Sequence, residues 1–175
     1  METGLLHIYC GDGKGKTTAA IGLSVRAAGS GFSVLFARFL KDERSGELEA
    51  MRQVPKIEIL PVEKSFGFYW NLTEEEKEEA YKFYGNLWRT VEEKASSGKY
   101  DMLVVDEFMA AFQYGLIPRK EALAFLKDRP GNLEVVLTGR DPDQALLKLA
   151  DYVSEICKVK HPFDRGTGAR KGIEY

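Results

Sequence analysis

The sequence predicts an α/β domain in which a mostly parallel sheet carries helices on both faces. Three observations lead there. Short apolar runs of strand length alternate with segments of helical periodicity along the chain. A glycine-rich loop joins the first apolar run to the first helical segment. A later apolar run, MLVV, ends in two acids, Asp106 and Glu107, where the carboxyl edge of such a sheet would lie. With 175 residues, 44% hydrophobic and 30% charged, the chain can build one core and has no compositional mark of disorder.

Residues 5–10 (LLHIYC) form the first strand, and residues 11–15 make the loop that opens a helix over 16–28. Gly29, Ser30 and Gly31 stop that helix. The near-continuous apolar run 33–39 (SVLFARF) is a strand buried on both faces, completing a βαβ unit. Residues 41–49 are polar and read as a loop, with a short helix as the alternative, before a third short strand near 56–61. Thr73 and Glu76 form a capping box, after which Ala80, Tyr84, Leu87, Trp88, Val91 and Ala95 recur at helical spacing until Gly98. Residues 102–105 and 133–138 are further buried strands, each followed by a helical pattern, and 152–159 is a last strand. No repeat or linker divides the chain, so residues 1–175 are expected to form a single domain. The stretch 162–175, rich in glycine and charge, has the composition of a frayed terminus.

Composition excludes several function classes. The 25 basic and 27 acidic side chains leave a formal charge of −2, which gives no electrostatic reason to expect nucleic acid or an anionic membrane. No run approaches the roughly 18 apolar residues that span a bilayer. The start, Met1-Glu2-Thr3, lacks the positive region of a signal peptide, so the expected compartment is cytoplasmic. Two cysteines, Cys10 and Cys157, are too few for a disulfide framework or a four-cysteine zinc site, and both read as buried small hydrophobes. His7, in a strand, reads as a structural residue, and Glu74 and Glu79 bracket a solvated acidic face.

The loop Gly11-Asp12-Gly13-Lys14-Gly15-Lys16-Thr17-Thr18 sits between a strand and a helix, the context that a phosphate-binding loop requires. It places the domain in the P-loop (RecA-like) class. Glycines let backbone N–H groups converge on phosphate oxygens, and the helix N-terminus adds positive potential. Lys16 supplies a mobile cation and the Thr17 hydroxyl can hold Mg²⁺. The alternative is a plain glycine turn with incidental lysines. The usual spacing would place a glycine at position 10, where this chain has Cys10, so the loop is a variant. Asp106 and Glu107 supply the acidic partner for Mg²⁺, against the reading of a mere helix cap. Arg140, just after a buried strand, reads as a phosphate ligand or a solvent-facing residue.

Taken with LTGR at 137–140, KHPFDRG at 160–166 and KGIEY at 171–175, the loop GDGKGKTT closely resembles one family, the P-loop type of ATP:corrinoid adenosyltransferase. The resemblance runs from the first strand to the last residue and includes the element Gly67-Phe68-Tyr69-Trp70. It implies transfer of the 5′-deoxyadenosyl group of ATP to the cobalt of a reduced corrinoid, with release of triphosphate. It also implies a homodimer, an electron-donating reductase as partner, and an ATP that lies reversed in the loop relative to common P-loop enzymes. Phe68 and Trp70 would then lie against the corrin, and His161 would belong to the functional tail. From spacing alone the two aromatics read as core filling. The first strand begins almost at Met1, so the N-terminal extension with which some members cover the site is not expected here. Arg165 and Arg170 make the tail more basic than in many members.

On this reading Lys16, Thr17 and Glu107 carry the catalysis by charge and alignment, since cobalt(I) is itself a nucleophile and needs no general base. Two other classes stay open: a P-loop nucleoside kinase, faintly suggested by Asp106, Glu107 and Phe108 through Gln113, and a non-enzymatic ATP-dependent switch.

Overall fold

The strands are β1 (Leu6–Cys10), β2 (Val34–Arg38), β3 (Ile57–Ile59), β4 (Met102–Asp106), β5 (Glu134–Thr138) and β6 (Tyr152–Glu155). In the computed structural model, which describes residues 3–41 and 45–174, they pair in parallel in the order β3-β2-β4-β5-β1-β6. Parallel neighbours require crossovers, and helices supply them: α1 (Lys16–Gly29), α2 (Gly46–Arg52), α3 (Glu74–Ser96), α4 (Phe108–Gln113), α5 (Arg119–Asp128) and α6 (Gln144–Leu149). The crossover after β1 runs past two strands to β2, whereas that after β5 runs the other way to β6. Oppositely directed crossovers open a crevice at the carboxyl ends of the strands, where ligands of such sheets bind.

Alternation along each strand divides the core between the two faces. Leu6, Ile8, Leu35, Leu103, Val105, Val135 and Leu137 point to one face and meet Tyr84, Trp88 and Val91 of α3 and Phe108 and Phe112 of α4. Val34, Phe36, Met102, Val104 and Val136 point to the other and meet Ala20, Ala27 and Ala28 of α1 and Met51 of α2. All five residues of β2 and of β4 are buried, which is why both read as near-continuous apolar runs, broken only by Arg38 and Asp106 at their ends, rather than as alternation.

Helix α3 begins as its sequence demands. The Thr73 hydroxyl accepts from the Glu76 N–H at 3.2 Å, and the Glu76 carboxylate accepts from the Thr73 N–H at 2.8 Å. Its outer face, including Glu74 and Glu79, is exposed. His7 is satisfied structurally: its Nε2 lies 2.5 Å from Glu134 Oε1 and its ring stacks on Tyr152.

Four expectations need correction. Residues 41–49 are not simply loop, because Leu48 and Met51 are buried and anchor a helix, α2, that starts at Gly46 and extends to Arg52. The third strand is shorter than 56–61, with only Ile57–Ile59 paired to β2. The last strand ends at Glu155 instead of 159. Among the described residues it is an edge strand with no outer neighbour, and beyond it Ile156 turns to the phosphate loop, accepting from the Gly13 N–H at 2.7 Å. Cys157 therefore lies off the sheet and is exposed, although Cys10 is buried as expected. The readings that fall on Met1, Glu2 and Tyr175 lie outside the described residues, as do positions 42–44 of the polar loop.

Trp88 is wholly buried and packs edge-on against Phe108 and Phe125, tying α3 to α4 and α5. Trp88→Ala should lower the unfolding free energy by about 3–5 kcal/mol in urea titrations, whereas loss of the exposed cap in Thr73→Ala should cost about 1 kcal/mol. Equal losses in the two variants would contradict this assignment of the core.

Candidate active site

Strand β1 hands the chain to the phosphate loop in a confined space. A Cβ on Gly11 would stand 2.5 Å from the Ile156 carbonyl oxygen, and one on Gly13 would stand 2.6 Å from it, so the segment after β6 can close on the loop only over bare backbone. Gly15, at φ 121°, turns the chain into α1, whose first turn has no side-chain cap. Its orphan N–H groups and positive end thus face the cleft beyond. Lys16 folds back to donate to the Gly13 carbonyl at 2.9 Å. Burial, then the neighbouring charge of Arg140, holds the Lys16 ammonium below the usual lysine range, a strain that an anion in the cleft would relieve.

Opposite the loop stands Asp106, the last residue of β4, with no solvent exposure. Its Oδ1 accepts from Thr17 Oγ1 at 2.9 Å and from Thr138 Oγ1 at 2.6 Å, and its Oδ2 accepts from Lys41 Nζ at 2.7 Å. Lys41 also donates to Thr17 Oγ1 at 3.0 Å and lies 3.4 Å from Glu107 Oε1. Burial alone would lower the Lys41 pKa, but Asp106 and Glu107 outweigh it and hold the amine protonated. Thr138 also accepts the Glu107 N–H at 3.0 Å, fixing Glu107 at φ 57°. A left-handed glutamate is costly and persists where the surroundings impose it.

A cleft of about 1270 Å³ opens over these groups, lined by Asp12 to Thr18, Lys41, Glu107, Arg140, His161 and the tail residues Gly172, Ile173 and Glu174. Most of the residues singled out in the sequence therefore converge. Asp12 Oδ1 accepts the Lys158 N–H at 2.9 Å and so is engaged in holding the segment after β6. Arg140 is at the exposed rim, with its carbonyl accepting from Gln113 Nε2 at 3.3 Å. His161 Nδ1 accepts the Phe163 N–H at 3.2 Å, capping the 3-10 turn Pro162–Arg165. The tail is thus ordered beside the loop rather than simply frayed.

Phe68 and Trp70 do not line this cleft. They are stacked on each other, with ring centroids 4.8 Å apart, and are 66% and 67% exposed, which excludes core filling. Tyr69 between them packs inward on Tyr114.

Two participants escaped the sequence reading. Thr138 looked like the end of a strand, and Lys41 like the start of a polar loop. The signal for both was position: each sits at the carboxyl edge of the sheet, the criterion that had singled out Asp106 and Arg140.

The oxygens of Thr17, Asp106 and Glu107 fit a hard divalent cation, for the Lys41 ammonium already lies among all three. Among the described residues no three His, Cys, Asp or Glu cluster as a metal cage. A hydroxyl and one or two carboxylates are the sparse set that Mg²⁺ takes alongside phosphate oxygens and water.

Sheet order, uncapped helix and the acid at the end of β4, one strand removed from β1, together define a P-loop nucleotide-binding α/β protein. Solved structures agree on the fold: a KaiC-like protein of Pyrococcus horikoshii superposes with a TM-score of 0.57 at 17% identity, over 90% of this chain and 74% of that one. ATPase domains of Thermomonospora curvata EccC do so at 0.54 and 15% identity, over 91% of this chain and 32% of that one. The chain belongs to the ATP:corrinoid adenosyltransferase BtuR/CobO/CobP family, whose model matches residues 2–175. Its relatives include the corrinoid adenosyltransferase CobA of Salmonella typhimurium, 34% identical over 99% of this chain and 87% of the relative. The corrinoid adenosyltransferase of Pseudomonas aeruginosa is 31% identical over 99% and 85%.

In the tail, Arg170 pairs with Glu174 at 3.0 Å and its N–H also reaches that carboxylate, pulling the Glu174 pKa from 4.5 to about 2. A depressed carboxyl pKa means that the clasp is fully present above pH 4.5 and is lost as pH falls toward 2. Amide protection of residues 170–174, taken relative to the intrinsic exchange rate at each pH, should fall across that window in the wild type, and already at neutral pH in Arg170→Ala. Tail protection indifferent to both changes would rule the clasp out.

Proposed function

We propose that this protein transfers the 5′-deoxyadenosyl group of ATP to the cobalt of a reduced corrinoid and releases triphosphate, working as a cytoplasmic homodimer with Mg²⁺ and an electron-donating reductase. The observation that carries the reading is family membership over residues 2–175 with the phosphate loop in place at the sheet edge.

The electron pair of cobalt(I) forms the new bond to the ribose C5′ while the bond from C5′ to the triphosphate oxygen breaks, its pair leaving with the triphosphate. No proton moves in that step, so no general base is needed. The protein's share is alignment and charge. The α1 N–H groups, Lys14 and Lys16 would meet the triphosphate, with Arg140 reaching it from the rim. Lys16, released from Gly13, regains its full basicity as negative charge accumulates on the leaving group. Thr17 and Asp106, with Glu107, would hold Mg²⁺, which when bound supplies further positive charge to the phosphates.

Phe68 and Trp70 expose a stacked apolar face suited to a flat macrocycle. Against the lower face of a corrin, such a wedge would exclude the axial ligand of cobalt(II) and ease its reduction, by the axial-ligand logic that tunes haem. His161 and Arg165 in the tail, with Arg170 once released from Glu174, would meet the corrinoid's peripheral amides or carboxylates.

Product analysis tests the reaction class: a cobalt–carbon adduct with one triphosphate is expected, whereas ADP would indicate a kinase or ATPase. Lys16→Ala should slow transfer by about 100-fold or more with ATP saturating. Phe68→Ala and Trp70→Ala should slow turnover from cobalt(II), with much of the rate restored by chemically pre-reduced cobalt(I). Equal losses from both oxidation states would contradict the wedge.

A further inference from the structure

We propose that Lys41 is a built-in placeholder for the metal ion: its ammonium occupies the divalent-cation site until metal and nucleotide arrive together, and then moves to the phosphates. The inference rests on Thr17, Asp106 and Glu107 being the Mg²⁺ donors.

The ammonium contacts the same oxygens that the metal would need, at 2.7 Å from Asp106 Oδ2, 3.0 Å from Thr17 Oγ1 and 3.4 Å from Glu107 Oε1. Magnesium binds oxygens at about 2.0–2.1 Å, so the two cations cannot share these donors, and one must leave. The nucleotide-free protein needs the ammonium there, because Asp106 has no access to water and a buried carboxylate without a cation is strongly disfavoured. The backbone is turned to deliver it. Leu40, immediately before Lys41, adopts φ 57°, a left-handed conformation rare for a leucine.

Displacement has a destination. Lys41 lines the same cleft as Lys14, Lys16 and Arg140, so an ejected ammonium stays within the space where the triphosphate would lie. Metal alone gains the carboxylates at the expense of an ammonium left among other cations. Metal with ATP supplies anionic oxygens to receive it. The device therefore makes free Mg²⁺ a poor ligand and the metal–nucleotide complex a good one.

Mn²⁺ as a paramagnetic probe separates the possibilities. Titrated into nucleotide-free protein, Mn²⁺ should bind Lys41→Met about ten-fold or more tighter than wild type, because a competing unit charge is gone, while Lys41→Arg should stay near wild type. Lys41→Met should also melt at lower temperature without metal and be restored by Mn²⁺ more than the wild type is. Should it fail to fold, Lys41→Gln, which keeps a polar donor without the charge, gives the same comparison. Unchanged or weaker Mn²⁺ binding in the neutral variant overturns the proposal. The metal assignment is checked apart from it, by whether the protein-bound MnATP signal disappears in Asp106→Asn. If that signal persists, the assignment fails, and the placeholder with it. If it disappears while Lys41→Met gains no affinity, only the placeholder fails.

Discussion

A carboxylate sealed from water has to be answered by donors, and at Asp106 they come from three separate stretches of chain. Thr17 comes from the first turn of α1, Lys41 from the segment just after β2 and Thr138 from the end of β5. The sheet order makes this convergence unavoidable, because β4 lies between β2 and β5 and all three strands end at the same edge. One buried charge thus couples the register of the central strands to the placement of the phosphate loop. Pairs of this kind are weak sources of net stability, and their value lies in fixing one arrangement of the groups around them.

A second constraint acts from the other side of the loop. The segment leaving β6 closes over Gly11 and Gly13 by backbone contact, and Asp12 receives the Lys158 N–H. The loop is therefore clamped between Asp106 on one flank and the chain after the edge strand on the other. The same segment leads into the tail, which brings His161 and Glu174 to the cleft. For the proposed transfer, which would need alignment and charge rather than proton transfer, a clamped loop would matter more than a tuned acid or base.

Much of this was legible in the sequence because it is local. The strand–loop–helix order of residues 5–28 and the Thr73–Glu76 box each depend on neighbours within a few positions. Asp106 and Glu107 were legible because a buried run ending in acids marks a sheet edge. Lys41 was only half legible: the run 33–39 placed it just past a strand end, but only the pairing of β2 with β4 makes it the partner of Asp106. The early end of β6 and the exposure of Cys157 depend on a long-range contact with Gly13. The short helix α2 carries only two buried side chains, too few to establish a period.

The central claim is that Thr17 and Asp106 act as one unit in organising the phosphate loop. A double-mutant cycle on adenosyl transfer with Thr17→Val and Asp106→Asn measures that most directly. Groups acting as a unit give non-additive losses, so the double variant should be within about three-fold of the slower single one. A double variant slowed by the product of the two single losses would mean that the residues act independently, and would contradict the account.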